Sequence, residues 1–201
     1  MVLIFEGADL SGKTTLARHY AAALSLPIVK IRWELKDEEA ETVAFAKVTI
    51  GLLAATHADV ILDRSFLSMW AYASNPEYMM PLLGALRSVP EVYVIVLTTD
   101  PDTLHRRYAE RGDRFFSEER LRFVNERFAL LPVQLPDEVG TLHLDTGRLT
   151  VRECCVEVDR ILGVMPMRSD PPTPAELVHL RIPIGEIPVD VMFPRRTHQH
   201  Q

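Results

Sequence analysis

Positive charge is in short supply in this chain of 201 residues. Its 22 Lys and Arg stand against 28 Asp and Glu, a formal net charge of -6 with a pI near 5.6. That balance argues against a generic basic nucleic-acid surface, while the clustering of the arginines leaves room for a local basic groove. Long apolar runs are missing too; none approaches the roughly 20 residues of a membrane helix. The first residues show no basic n-region and no cleavage site, so neither a signal peptide nor a membrane association is expected. Cysteine is almost absent. Cys154 and Cys155 are adjacent, and neighbours in sequence rarely form a disulfide because the geometry strains the connecting peptide. They read as interior thiols in a reducing compartment, with no His or Cys at ligand spacing from them. These absences point to a cytoplasmic protein. No internal repeat is visible. The 47% hydrophobic and 25% charged content suits one domain plus an appendage.

What is present is concentrated near the start. Gly7 to Thr14 satisfies GxxxxGK[ST], the phosphate-binding loop. The glycines let the backbone turn its N–H groups toward a phosphate. Lys13 would reach the β- and γ-phosphates, and the Thr14 hydroxyl would hold Mg²⁺. The helix that follows aims its positive end at the anion. The context agrees. Val2 to Phe5 reads as a buried strand, and Leu16, Tyr20 and Leu24 follow at helical spacing. Gly7, Ala8, Asp9, Leu10, Ser11, Gly12, Lys13, Thr14 and Thr15 are therefore the candidate ATP-binding residues.

Further along, Leu26 to Ile31 reads as a second strand. Arg32, Trp33 and Glu34 come after it, where an open α/β sheet places ligand contacts. Asp37 to about His57 reads as a helix with an acidic first turn and an apolar face through Val43, Ala46, Ile50, Leu53 and Ala54. Asp59 to Asp63 is a short apolar strand ending in an acid, the Walker B pattern, followed by Arg64. An acid there can bind the Mg²⁺ shell or act on the acceptor hydroxyl. Helical pieces are expected over 65–73 and 78–86, a strand over 91–97, and a helix starting at Asp100-Pro101. Arg106, Arg107, Arg111, Arg114, Arg120, Arg122 and Arg127 follow closely. Arg111-Gly112-Asp113-Arg114 breaks the helical pattern and suits a closing lid over about 106–116, whose guanidinium forks would stabilise a transferring phosphoryl group. Ser117 starts another helix, Thr141 to Asp145 is a strand, and Val151 to Leu162 is the last helix. The fold class is α/β: five parallel strands alternating with helices in a three-layer core. Residues 1–163 would form this core domain and 164–201 a proline-rich C-terminal extension. Seven prolines from Pro166 to Pro194 exclude a long helix there. The extension should lie extended over the core or a partner, with Arg195 to the end disordered.

Taken together, these stretches resemble the thymidylate kinases and their deoxynucleoside kinase relatives. Phe5-Glu6-Gly7-x-Asp9-x-x-Gly12-Lys13-Thr14-Thr15 is similar to that family's phosphate loop. Asp63-Arg64-Ser65-x-x-Ser68-x-x-Ala71-Tyr72 is similar to its Asp-Arg segment, and Asp100 through Arg114 to its lid. The resemblance covers about residues 1–162. It implies the three-layer P-loop kinase fold, with residues 1–163 as the kinase domain, and a kinase using ATP and Mg²⁺. Thr14 and Asp63 would serve the metal, and Lys13, Asp63, Arg64, Arg107, Arg111 and Arg114 the chemistry. Asp9, Arg32, Trp33, Arg64 and Tyr72 would bind the acceptor, and the Asp145-Thr146-Gly147 turn would flank adenine. It also implies a homodimer.

The chain departs from the family at three points. Arg32-Trp33-Glu34 replaces a Glu-Pro-Gly stretch, Lys13 and Asp63 are closer in sequence, and the lid is compressed. Three acceptors fit the resemblance: dTMP or a related pyrimidine deoxynucleotide, a deoxynucleoside, and 5-hydroxymethyluracil already in DNA. Some phage relatives phosphorylate the last of these during thymine hypermodification, which would place the protein in a host cytoplasm. A non-catalytic nucleotide switch is the reading of another class.

Overall fold

The computed structural model describes residues 1–31, 39–56, 59–163, 177–184 and 187–194. Arg32, Trp33, Glu34, the acidic Asp37-Glu38 pair and the stretch from Arg195 onward lie outside the described residues. Nine elements carry the argument first: β1 (Val2–Gly7), α1 (Lys13–Leu24), β2 (Ile28–Ile31), α2 (Glu39–Thr56), β3 (Val60–Asp63), α3 (Leu67–Tyr72), α4 (Met80–Ala85), β4 (Val92–Thr98) and α5 (Pro101–Arg111). Then come α6 (Glu118–Leu130), β5 (Gly140–Asp145), α7 (Val151–Leu162), β6 (Leu177–Ile184) and β7 (Ile187–Pro194), with single 3₁₀ turns flanking α4 and following α6. Among the described residues no helix is long and apolar enough to cross a membrane.

The strand order is β5-β4-β1-β3-β2-β7-β6. The first five strands are parallel, as expected. The proline-rich stretch adds two more: β7 runs antiparallel to β2, and β6 antiparallel to β7. Its prolines suit this position. Pro183 faces Pro188 at the closed end of the hairpin, and Pro194 ends β7, where a missing N–H costs the ladder least.

Strand side chains alternate between two apolar layers. Val2 and Ile4 of β1 join Phe45, Leu67 and Phe128 on one face. Leu3 and Phe5 join Leu16, Tyr20 and Val158 on the other. A strand buried on both faces is mostly apolar, which is why β1 as far as Phe5 and β4 as far as Leu97 read as hydrophobic runs. Cys154 and Cys155 are both buried and free. Burial pushes each thiol up to about 11, so neither is a nucleophile at neutral pH.

The starts of α5, α6 and α7 carry side-chain caps. Asp100 accepts from the Thr103 N–H at 2.9 Å and Ser117 from the Arg120 N–H at 3.2 Å. Two expectations shift. The helix expected from Ser65 begins at Leu67, because Arg64 takes a left-handed φ of 77° and Ser65 is drawn toward β1. The piece expected over 78–86 is a short α4 between 3₁₀ turns. Pro81 lacks an N–H and is tolerated only in a first turn, so α4 cannot start much earlier.

Candidate functional site

The parallel strands end at one edge of the sheet, where open α/β folds bind ligands. β1 delivers the phosphate loop there, between β3 and β4. The loop needs glycine at Gly7, whose φ is 151°. A Cβ would overlap the Leu97 carbonyl oxygen and lie 2.6 Å from Ser11 Oγ. Gly7→Ala is therefore expected to cost ~2–4 kcal/mol of stability, since neither the β4 backbone nor the loop can yield cheaply. Urea unfolding checks this; an unchanged midpoint would mean that the loop relaxes.

Lys13 opens α1 and is 5% exposed. Its ammonium donates to the Ala8 carbonyl at 2.9 Å and approaches Asp9 Oδ1 at 3.5 Å. Burial, and then the neighbouring Arg64 charge, lower its pKa from 10.5 to about 8, against the opposing pull of Asp9 and Asp63. A bound polyphosphate favours the charged form, so above that pH nucleotide binding must take up a proton. Affinity is expected to fall as pH rises from 8 toward about 10, with proton uptake visible in calorimetry across buffers of different ionisation enthalpy. The ligand-free protein moves the other way. Its unfolded state holds the Lys13 proton more tightly, so this group adds stability between pH 8 and 10.5.

Thr14 Oγ1 donates to Asp63 Oδ2 at 2.8 Å. Two residues 49 apart in sequence thus meet where the loop and the acidic strand end converge. Among the described residues Asp63 Oδ1 is buried without a hydrogen-bond partner, and so is Ser11 Oγ. Among the described residues no three His, Cys, Asp or Glu could hold a metal by themselves. One carboxylate and one hydroxyl suit Mg²⁺, which takes the rest of its oxygens from phosphates and water. The donor set therefore fits that ion arriving with a nucleotide.

On the other side of Lys13 lies a second cluster. Arg64 Nη2 pairs with Asp9 Oδ1, and the Tyr72 hydroxyl donates to Asp9 Oδ2 at 3.4 Å. The Arg64 guanidinium lies 5.4 Å from the Tyr72 ring centroid. Burial alone would raise the Asp9 carboxyl, but Arg64 and Lys13 hold it below its ordinary value. Phe116, from the loop after α5, packs on Tyr72 with centroids 5.1 Å apart.

The structure brings Lys13, Thr14, Asp63, Asp9, Arg64 and Tyr72 together. Ala8 is fully buried under the loop, and Gly12 and Thr15 lie exposed at the start of α1. Arg107 reaches the loop but is engaged there. It donates to Leu10 O at 2.9 Å, Thr146 Oγ1 at 3.0 Å and Thr146 O at 2.8 Å. It braces α5, the loop and the turn after β5, whose Thr146 hydroxyl also contacts Ser11 O at 2.9 Å. Arg111 and Arg114 are exposed and are not drawn into the cluster. Gly112 ends α5, as the break in pattern suggests, and Asp113 accepts from the Phe115 and Phe116 N–H groups, both at 2.8 Å. Arg120 and Arg127 do not extend a basic groove. They donate to the carbonyls of Tyr72, Ala71 and Ala73 at the end of α3, where cations offset the helix dipole.

Two residues were not singled out by sequence reasoning. Glu6 is fully buried and accepts from Ser65 N at 2.6 Å, Ser65 Oγ at 2.7 Å and Ser68 Oγ at 2.6 Å. Burial outweighs those bonds and the Arg64 charge, raising its pKa. It ties the strand before the phosphate loop to the turn that carries Arg64. The signal was an acid inside an otherwise apolar strand. Lys30 ends within 3.2 Å of Asp63 Oδ2, a contact set by strand register and invisible in sequence.

No family model matches the chain, and no curated protein does. Solved structures do. The YorR protein of Bacillus subtilis, in complex with phosphorylated GDP, superposes with a TM-score of 0.61 at 22% identity over 81% of this chain and 96% of that one. Deoxyadenosine kinase of M. mycoides with bound dATP gives a TM-score of 0.53 at 16% identity, over 81% and 100%. The same enzyme with bound dCTP gives 0.52 at 15%, over 82% and 100%. At such identities the likeness is one of architecture: the chain has the α/β fold of the P-loop nucleotide and deoxynucleoside kinases.

Proposed function

We propose that the chain is an ATP-dependent phosphotransferase that moves the γ-phosphate to a deoxynucleotide-type acceptor, dTMP or a related pyrimidine deoxynucleotide. The observation that carries this reading is the 2.8 Å contact between the loop hydroxyl of Thr14 and the strand-end acid Asp63, beside a separate Asp9–Arg64–Tyr72 cluster. A binding loop alone needs the first; a transferase needs an acceptor platform as well.

In this reading Lys13 and the loop N–H groups hold the β- and γ-phosphates and stabilise charge as the phosphoryl group moves. Mg²⁺, held through Thr14 and Asp63, would neutralise phosphate oxygens. Arg64 and Asp9 orient the acceptor, and Tyr72 packs beside its sugar. Glu6 keeps the Arg64 turn fixed against the loop. Arg107 braces the nucleotide side. Arg111 and Arg114 would join only when the loop after α5 closes. Residues 1–163 are the catalytic unit and 164–201 its extension. A free deoxynucleoside is the second acceptor, favoured by the likeness to deoxyadenosine kinase.

The test is an acceptor screen with γ-labelled ATP and Mg²⁺. It sets dTMP and other deoxynucleoside monophosphates against deoxynucleosides and against duplex DNA with and without 5-hydroxymethyluracil. Label on a monophosphate supports the reading. Label on a nucleoside supports the second. Label that stays with DNA only when the hydroxymethyl group is present would replace both with a DNA-modifying kinase. Slow hydrolysis that no acceptor stimulates would make the protein a nucleotide switch.

A further inference from the structure

Lys30 lies opposite Asp63 in the parallel β2–β3 register. Its ammonium is 3.2 Å from Asp63 Oδ2, the same oxygen that Thr14 Oγ1 reaches at 2.8 Å. The two partners differ in burial: the Asp63 side chain is 1% exposed and that of Lys30 34%. Asp63 is thus a buried carboxylate whose direct ion pair, among the described residues, is with a partly solvated, flexible lysine, while the buried Lys13 acts on it at longer range. An ammonium on four carbons can swing away, which a braced guanidinium cannot.

The position matters because Asp63 and Thr14 are the pair suited to Mg²⁺. A divalent ion and an ammonium on one carboxylate repel each other, so only one of them can pair with Asp63 at full strength, whichever oxygen the ion takes. We propose that Lys30 is a placeholder cation, neutralising Asp63 while no Mg²⁺–nucleotide is bound and giving way when the metal arrives. A buried carboxylate with no cation would be costly and would repel incoming phosphates. Lys30 removes both penalties in the empty site, at the expense of competing with the metal. This inference rests on the reading above only in requiring that the loop bind a magnesium nucleotide.

Two opposite effects follow. Without Lys30 the metal meets no competitor, so less Mg²⁺ is needed. Without Lys30 and without metal, the bare Asp63 faces the phosphates, so metal-free nucleotide binds more weakly. A merely structural lysine would move both affinities in the same direction or neither.

The experiment is calorimetric titration of ATP into the full chain, across a range of Mg²⁺ concentrations and in EDTA. Wild type is compared with Lys30→Gln, Lys30→Met and Lys30→Arg, each checked for folding by circular dichroism. Lys30→Gln and Lys30→Met are expected to lower the half-saturating Mg²⁺ on the order of five- to tenfold, a discounted value for a partly exposed pair, and to weaken ATP binding in EDTA. Lys30→Arg keeps the charge, so it should retain ATP binding in EDTA and need at least as much Mg²⁺ as wild type. Parallel shifts, no shift, or loss of the fold in both neutral variants would overturn the exchange. ATP binding with an unmoved magnesium response overturns this inference alone; absence of ATP binding by the wild type overturns the functional reading with it.

Discussion

Lys13→Ala is expected to lower kcat/KM for phosphoryl transfer by ~10³-fold or more, with little change in fold. The size follows from the role proposed for the ammonium: in a water-excluded loop it would meet charge that develops on the transferring group, where one such contact is worth about two to three orders of magnitude, and it would also bind the ground state. The structure explains why stability should survive. The lysine is buried, and its pKa is driven down from 10.5 to about 8, so the folded protein gains little from keeping it charged. Asp9 retains Arg64 as a partner after the change. Thermal unfolding at pH 7 should therefore show an equal or higher midpoint, while steady-state kinetics with the acceptor found by the screen show the loss. Near-normal turnover of a folded Lys13→Ala would remove the phosphate loop from the chemistry.

Asp63→Asn should have the next largest effect, about 10²–10³-fold on transfer at ordinary magnesium concentration, with partial recovery when Mg²⁺ is raised. The replacement keeps shape and a hydrogen-bonding oxygen for Thr14, so the loss isolates the charge. Among the described residues Asp63 Oδ1 is buried and has no hydrogen-bond partner, so the carboxylate keeps accepting capacity for an incoming ion beside the Oδ2 that Thr14 and Lys30 share. Lys30 loses its pair but is a third exposed and can turn to solvent. Initial rates across a magnesium titration decide the matter. A variant whose magnesium dependence matches that of the wild type would take Asp63 out of the metal shell.

The phosphate loop and the Asp63 strand end were legible because each is a local object: a short run whose residue types state their own conformation and chemistry. The caps at Asp100 and Ser117 were legible for the same reason. The arginine-rich stretch was not. Its spacing shows a charged segment broken at Gly112, but Arg107, Arg120 and Arg127 differ from Arg111 and Arg114 only in which backbone carbonyls lie within reach. That depends on where α3 and the β5–α7 turn come to rest. Glu6 was half legible. An ionisable group in an apolar strand signals a buried partner, but Ser65 and Ser68 are about sixty positions away.

The division has a physical basis. Strand and helix periodicity, glycine positions and caps depend on neighbours within a few residues, so composition and spacing were enough for the α/β class and for the loop and strand end that meet at Thr14 and Asp63. Contacts across the sheet depend on register, and register depends on every layer that packs on it. Folding alone decided that Lys30 stands opposite Asp63, that the proline-rich stretch pairs with β2 as an antiparallel hairpin, and that Glu6 clamps the Arg64 turn. Each joins segments that no local rule connects.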